Sequence, residues 1–150
     1  MARTLSDDQI DHLKSLHTSA VDARNGYQEA LDDAEGRGLT PLFRDMIAVH
    51  GGHADELAAE LGAAGEKSDD GGSFMSTVHR TIMSVRALFD GLDESVLPGL
   101  IDGEERNVGK YDDALKAGFP ASLSSLLMAQ RARLVEKIAE MKARKASADT

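Results

Sequence analysis

Ile101-Asp102-Gly103-Glu104-Glu105-Arg106-Asn107-Val108-Gly109-Lys110-Tyr111 is the stretch on which the reading of this chain turns. Wound as a helix, it puts Leu97, Leu100, Glu104, Val108, Tyr111 and Leu115 on one stripe, because residues three and four apart share a helix face. Glu104 falls in the middle of that stripe. A carboxylate there is paired, protonated, metal-bound, or on a face less buried than the pattern implies, since an isolated buried charge is too costly to keep.

The same period recurs on both sides of this stretch. Leu5-Ser6-Asp7-Asp8-Gln9-Ile10 opens a first helix. Ser6 is its N-cap, Gln9 completes a capping box, and Leu5 and Ile10 suit a hydrophobic staple. Asp7 and Asp8 favour the positive end of the helix dipole. The helix is expected to run to about Glu35, where Gly36-Arg37-Gly38 stops it. Its buried side reads Ile10, Leu13, Leu16, His17, Ala20, Tyr27, Leu31 and Ala34.

Thr40-Pro41 opens a second helix, with Thr as cap and Pro at the first helical position. Phe43, Met46, Ile47, His50, Ala54, Leu57 and Leu61 form its stripe. Gly51-Gly52 inside that stripe costs roughly 1 kcal/mol per glycine against Ala. The pair marks a kink or a close approach. The short gap between these two helices implies an antiparallel hairpin.

Residues 62–72 form one long Gly- and Asp-rich loop. Ser73 then caps a shorter helix that buries Met75, Val78, Ile82, Val85 and Phe89. A fourth helix starts near Ser95, with Pro98 in its first turn, and runs to Lys116. Gly118-Phe119-Pro120 breaks the chain again. A fifth helix, from Pro120 to about Arg144, buries Leu123, Leu127, Leu134, Ile138 and Met141. Lys137, Lys142, Arg144 and Lys145 suit its negative C-terminal end, and the last residues, 146–150, are expected to fray. Strict alternation is missing, so no strand is expected. The fold class is therefore all-α: an up-down bundle of five helical segments, four of them forming the main bundle. One domain spans residues 1–150, with its ordered core at about 6–145.

Composition supports this. Aromatic residues make up 4% of the chain and Trp is absent, so the core is mainly aliphatic, which suits close-packed helices better than strands. The net charge of -9 argues against nucleic acid and anionic membrane surfaces, both of which demand a basic face. Without Cys, disulfides, thiolate catalysis, zinc-thiolate sites and iron–sulfur clusters are excluded. No apolar run approaches the ~18 residues of a membrane span. Met1-Ala2-Arg3-Thr4 leads into a polar helix start rather than an apolar signal core. The cytoplasm is the expected location.

Helical projection places His17, Arg24, His50, His79, Glu104 and Tyr111 on or beside apolar stripes. Two chemistries fit such groups. Bundles build metal sites from inward Glu and His on facing helices. The candidate ligands are His50, His53, Glu56, His79 and Glu104, for iron, manganese or zinc. The other reading is a buried polar network in which Arg24 pairs with Glu104 and the His and Tyr groups satisfy the rest. Dinuclear carboxylate bundles carry Glu-x-x-His twice. This chain has only the reversed His53-x-x-Glu56, so oxygen-activating chemistry loses its main support. The chain also lacks a Gly-x-Ser-x-Gly elbow, a phosphate-binding loop and a complete calcium loop. No catalytic residue and no small-molecule substrate is indicated.

Several short motifs resemble a bacterial family of ferritin-like four-helix-bundle proteins of unknown function, described as stress-associated. They are Gly26-Tyr27-Gln28-Glu29-Ala30, Leu42-Phe43-Arg44, Glu56-Leu57, Gly72-Ser73-Phe74, His79-Arg80, Gly103-Glu104-Glu105, and Tyr111 with Ala114-Leu115. The resemblance covers nearly the whole chain. It implies the ferritin-like fold and no established activity. The family shows Asp-Gly-x-x-Gly-aromatic in its first helix, where this chain reads Asp22-Ala23-Arg24-Asn25-Gly26-Tyr27. An acidic residue is expected where Arg24 or Asn25 stands, so one potential carboxylate ligand is missing. His50 and His53 are particular to this chain. The expected function is a small cytoplasmic, self-associating (dimeric), non-enzymatic protein with a stress-related or accessory role. The alternative is a metal-binding ferritin-like protein or oxidoreductase.

Overall fold

The first helix is closed by the reciprocal pair its opening residues imply. The Ser6 backbone N–H donates to Gln9 Oε1 at 2.9 Å, and the Gln9 N–H donates to Ser6 Oγ at 3.1 Å. Two N-terminal donors that no helical carbonyl can reach are thereby satisfied. Gln9 Nε2 also donates to the carbonyls of Ala117 and Gly118, at 3.1 and 3.2 Å, so the cap ties this helix end to a distant turn. A computed structural model of the chain describes residues 5–34, 40–65 and 97–148. Among these residues there are four helices and no strand: α1 (Asp7–Ala34), α2 (Thr40–Ala63), α3 (Leu97–Leu115) and α4 (Ala121–Ala148). The short segment expected from Ser73 to Phe89, with His79 on it, lies outside the described residues.

Local chemistry accounts for the ends. Pro98 sits in the first turn of α3, where its missing N–H costs nothing. At the other end of α3, the Ala117 N–H donates to Ala114 O at 2.9 Å, and Gly118 then turns out at φ +76°. Glycine reaches that left-handed region without steric cost. α4 continues to Ala148, past the expected end near Arg144. Its last turns are rich in Ala, Lys and Arg, all strong helix formers.

Side-chain pairings set the helix directions. Lys110 Nζ donates to Ser19 Oγ at 2.6 Å, and Gln9 meets the end of α3, so α1 and α3 run antiparallel. The Tyr111 hydroxyl donates to Gln130 at 2.7 Å and Arg131 Nε to Asp112 at 2.6 Å, which makes α3 and α4 antiparallel. Lys137 donates to Asp45, and Gln130 to Glu56, so α2 and α4 are antiparallel as well. α1 packs mainly on α2 and α3 mainly on α4, and the two hairpins meet along α1–α3 and α2–α4. α2 and α3 therefore lie on a diagonal and run the same way. The up-down alternation holds inside each hairpin and breaks at the step between them.

Among the described residues the core has, besides a small apolar cluster of Ala20, Val21 and Ala54, two large ones. One gathers Tyr27, Phe43, Met46, Leu97, Ile101, Ile138 and Met141. The other gathers Leu13, Leu16, Leu57, Leu61, Tyr111, Leu123, Leu127 and Leu134. On α2 the boundary falls between Met46 and Val49, and on α3 between Ile101 and Tyr111. Glu104 lies within that boundary and His50 beside it. Leu57 is fully buried in the second cluster. Leu57→Ala should lower unfolding stability by about 3 kcal/mol through lost transfer energy and the cavity left behind. Urea unfolding checks this, and an unchanged midpoint would contradict the packing.

Candidate functional site

His50 reaches the diagonal because α2 keeps its stripe through Gly51-Gly52 without a break. The helix continues unbroken through the glycine pair. A Cβ on Gly51 would stand 3.4 Å from Cδ of Arg24, in ordinary contact with the aliphatic stem of that side chain. Arg24 Nε then donates to Asn25 Oδ1 at 3.2 Å, one residue along α1. The expected pairing of Arg24 with Glu104 is replaced by a different set of partners.

Glu104 is 3% exposed and His50 is 2% exposed, so water screens neither. His50 Nε2 lies 2.9 Å from both carboxylate oxygens. A carboxylate only accepts, so Nε2 carries the hydrogen. Asn107 Nδ2, one helical turn on, donates to Oε1 at 3.2 Å. The Tyr27 hydroxyl from α1 donates to the same carboxylate. Burial and the Glu104 charge together raise the Tyr27 pKa well above the ordinary tyrosine value. The Tyr27 ring also stacks on His50, at 5.9 Å between centroids and 15° between planes. Its other contact is edge-on to Phe43 at 5.5 Å. Three helices thus converge on one carboxylate.

A second group of bonds continues from α3 into α4. Gln130, 2% exposed, accepts from Tyr111 and donates to Glu56 Oε1 at 3.2 Å and to the His53 carbonyl at 3.4 Å. Burial, with the Glu104 and Glu56 charges, raises the Tyr111 pKa. His53 is buried, and its ring meets His50 edge-on at 6.3 Å. Its Nδ1 is buried with no hydrogen-bond partner. Burial, then the charges of His50 and Arg133, push its pKa down to about 4. Beside His50, Asn107 and Tyr111 lies a cavity of about 10 Å³, which suits one water and no substrate.

The proposed ligands therefore separate. His50 and Glu104 meet directly. His53 sits one turn away, and the Glu56 carboxylate is engaged by Gln130 on an exposed flank. His79 lies outside the described residues. Among the described residues, no three His, Asp or Glu side chains converge as a metal would need. The N–O contacts at 2.9 Å leave no space for an ion between His50 and Glu104.

Asn107, Gln130 and Lys137 are missing from the expected set. Gln130 and Lys137 follow Leu127 and Leu134 at helical spacing, the same signal that singles out Glu104. Lys137, 4% exposed, donates to Asp45 and, at 3.1 Å, to Glu140. Burial works against its charge, but the two carboxylates outweigh it and raise its pKa.

Glu104→Ala should cost about 3 kcal/mol of unfolding stability by removing the acceptor for two buried donors, His50 and Tyr27, and the half-buried Asn107. Glu104→Gln should cost less, and urea midpoints distinguish them. The pH dependence has a definite sign. The folded protein keeps His53 neutral down to about 4, whereas an unfolded His takes its proton near 6.5. Protonation thus favours unfolding, and this part of the stability, full above pH 6.5, is lost as the pH falls to about 4. In His53→Phe the fall in urea midpoint across that range should be shallower. Equal slopes would reject the assignment.

No curated protein and no solved structure matches the chain. Residues 8–117, from the first turn of α1 to the turn after α3, match the model of a family described as a domain of unknown function (DUF2383). The match spans most of the chain, and the chain belongs to this family, whose function is unknown.

Proposed function

We propose that this chain is a small ferritin-like bundle protein of the cytoplasm with a non-enzymatic, accessory role in stress physiology. One observation carries the non-enzymatic part. The carboxylate of Glu104, the most chemically loaded group in the core, is closed off by His50, Asn107 and Tyr27. The space beside its partners His50 and Asn107, about 10 Å³, is water-sized. Support for the ferritin-like architecture comes from the two antiparallel hairpins with a parallel step between α2 and α3, since ferritin-like bundles carry one long crossover. The stress-related role rests on the motifs shared with that family, Gly26-Tyr27 and Gly103-Glu104-Glu105 among them. The cytoplasm is proposed because the chain has no cysteine and hence no disulfide framework.

A second reading, metal binding by His50 and Glu104 with His53, is favoured by the partnerless buried Nδ1 of His53. Iron, manganese or zinc could engage it only after the His50–Glu104 contact opens. Elemental analysis of untagged protein, beside Glu104→Ala and His50→Ala, separates the two readings. The expected outcome is substoichiometric metal that both substitutions leave unchanged. Stoichiometric metal lost in both variants would replace the first reading with the second.

A further inference from the structure

We propose that Tyr27 is a one-electron redox site, oxidised to a neutral phenoxyl radical while its hydroxyl proton passes to the Glu104 carboxylate. The chain holds two Tyr, no Trp and no Cys. An oxidising equivalent that enters it therefore has two phenols on which to settle, with no indole or thiol to compete. Both phenols are buried, Tyr27 at 7% exposure and Tyr111 at 3%. What separates them is the acceptor each hydroxyl meets. Removing an electron from a phenol makes its proton strongly acidic, so a buried phenol oxidises readily only where a group within hydrogen-bond reach takes that proton. Tyr27 donates to a carboxylate, which can become an acid. Tyr111 donates at 2.7 Å to the amide oxygen of Gln130, which is not a base, and Gln130 stands between Tyr111 and the Glu56 carboxylate.

The step balances at the site. An external one-electron oxidant takes the electron, the O–H bond of Tyr27 breaks, and an O–H bond forms on Glu104. Neither product carries a charge, which suits a place that water does not reach. The new acid can donate back to the phenoxyl oxygen. His50 and Asn107 hold the carboxylate in place, so the proton returns along the same path when a reductant such as ascorbate supplies the electron. The raised pKa keeps Tyr27 a phenol, so electron and proton leave together. His50 stacks on its ring at 5.9 Å and Phe43 meets it edge-on at 5.5 Å, which keeps the radical from coupling with a second phenol. An electron, unlike a substrate, needs no open cleft. The net charge of -9 draws cationic oxidants to the surface. This role is stoichiometric and goes beyond the accessory reading without depending on it.

Flash photolysis of the full chain with ruthenium(III) tris-bipyridine, a cationic outer-sphere oxidant, reads the phenoxyl radical by its optical and electron paramagnetic resonance spectra. Tyr111→Phe leaves Tyr27 as the only tyrosine and should keep the radical yield of the parent. Tyr27→Phe leaves Tyr111 alone and should lower the yield about tenfold or more. Adding Glu104→Gln to Tyr111→Phe removes the base but keeps an acceptor of the same shape, and should lower the yield as far. Oxidation of Tyr111→Phe should slow in deuterium oxide, because the proton moves with the electron. Should Tyr27→Phe or the double variant lose its helical circular dichroism, Tyr111→Phe alone decides, by its yield and its slowing in deuterium oxide. No radical in Tyr111→Phe, equal yields from the two single-tyrosine variants, a yield untouched by Glu104→Gln, or a rate unchanged in deuterium oxide would each overturn the proposal.

Discussion

A carboxylate and an imidazole meet across the diagonal of this bundle, almost wholly out of reach of water. Each would be costly there alone, because a buried charge without a partner keeps its full desolvation penalty. The two groups come from different hairpins, His50 from α1/α2 and Glu104 from α3/α4. The hairpins can therefore close in few ways. A shift of one turn along α3 would carry Glu104 away from both His50 and Tyr27 and leave two buried donors without their acceptor.

This polar layer also explains the division of the core. Leu- and Phe-rich layers lie on either side, and each would tolerate sliding, since apolar packing specifies register weakly. Hydrogen bonds have direction and distance, so the layer between them supplies the missing specificity. Gln130 extends it by joining α2, α3 and α4 through bonds to Glu56, the His53 carbonyl and Tyr111. Lys137 adds a further tie between α4 and α2. The core polar groups thus serve assembly.

Much of this was legible in the residues. The capping box at Ser6 and Gln9, the stop at Gly118 and the apolar stripes of all four described helices follow from local rules. Those rules depend on backbone geometry that tertiary contacts change little. Glu104 and His50 stood out because a helical projection needs no partner. Gln130 and Lys137 lay on the same kind of projection in α4, but Gln130 was passed over and Lys137 was read as a charge suited to the helix C-terminus. Val21 and Val49 were missed for a related reason: they sit at the stripe edges, and only a neighbouring helix decides whether an edge is covered.

By itself, then, the sequence determined the helices, their caps and the presence of a carboxylate on an apolar stripe, because these depend on residues within a few positions of one another. Only the tertiary structure decided what Glu104 faces. Arg24 had the right charge and a plausible place on α1, but its stem crosses Gly51 and its Nε turns to Asn25. His50 reaches the carboxylate because α2 and α3 run the same way on opposite corners of the bundle. That arrangement is set by how two hairpins dock, and no spacing within either hairpin encodes it.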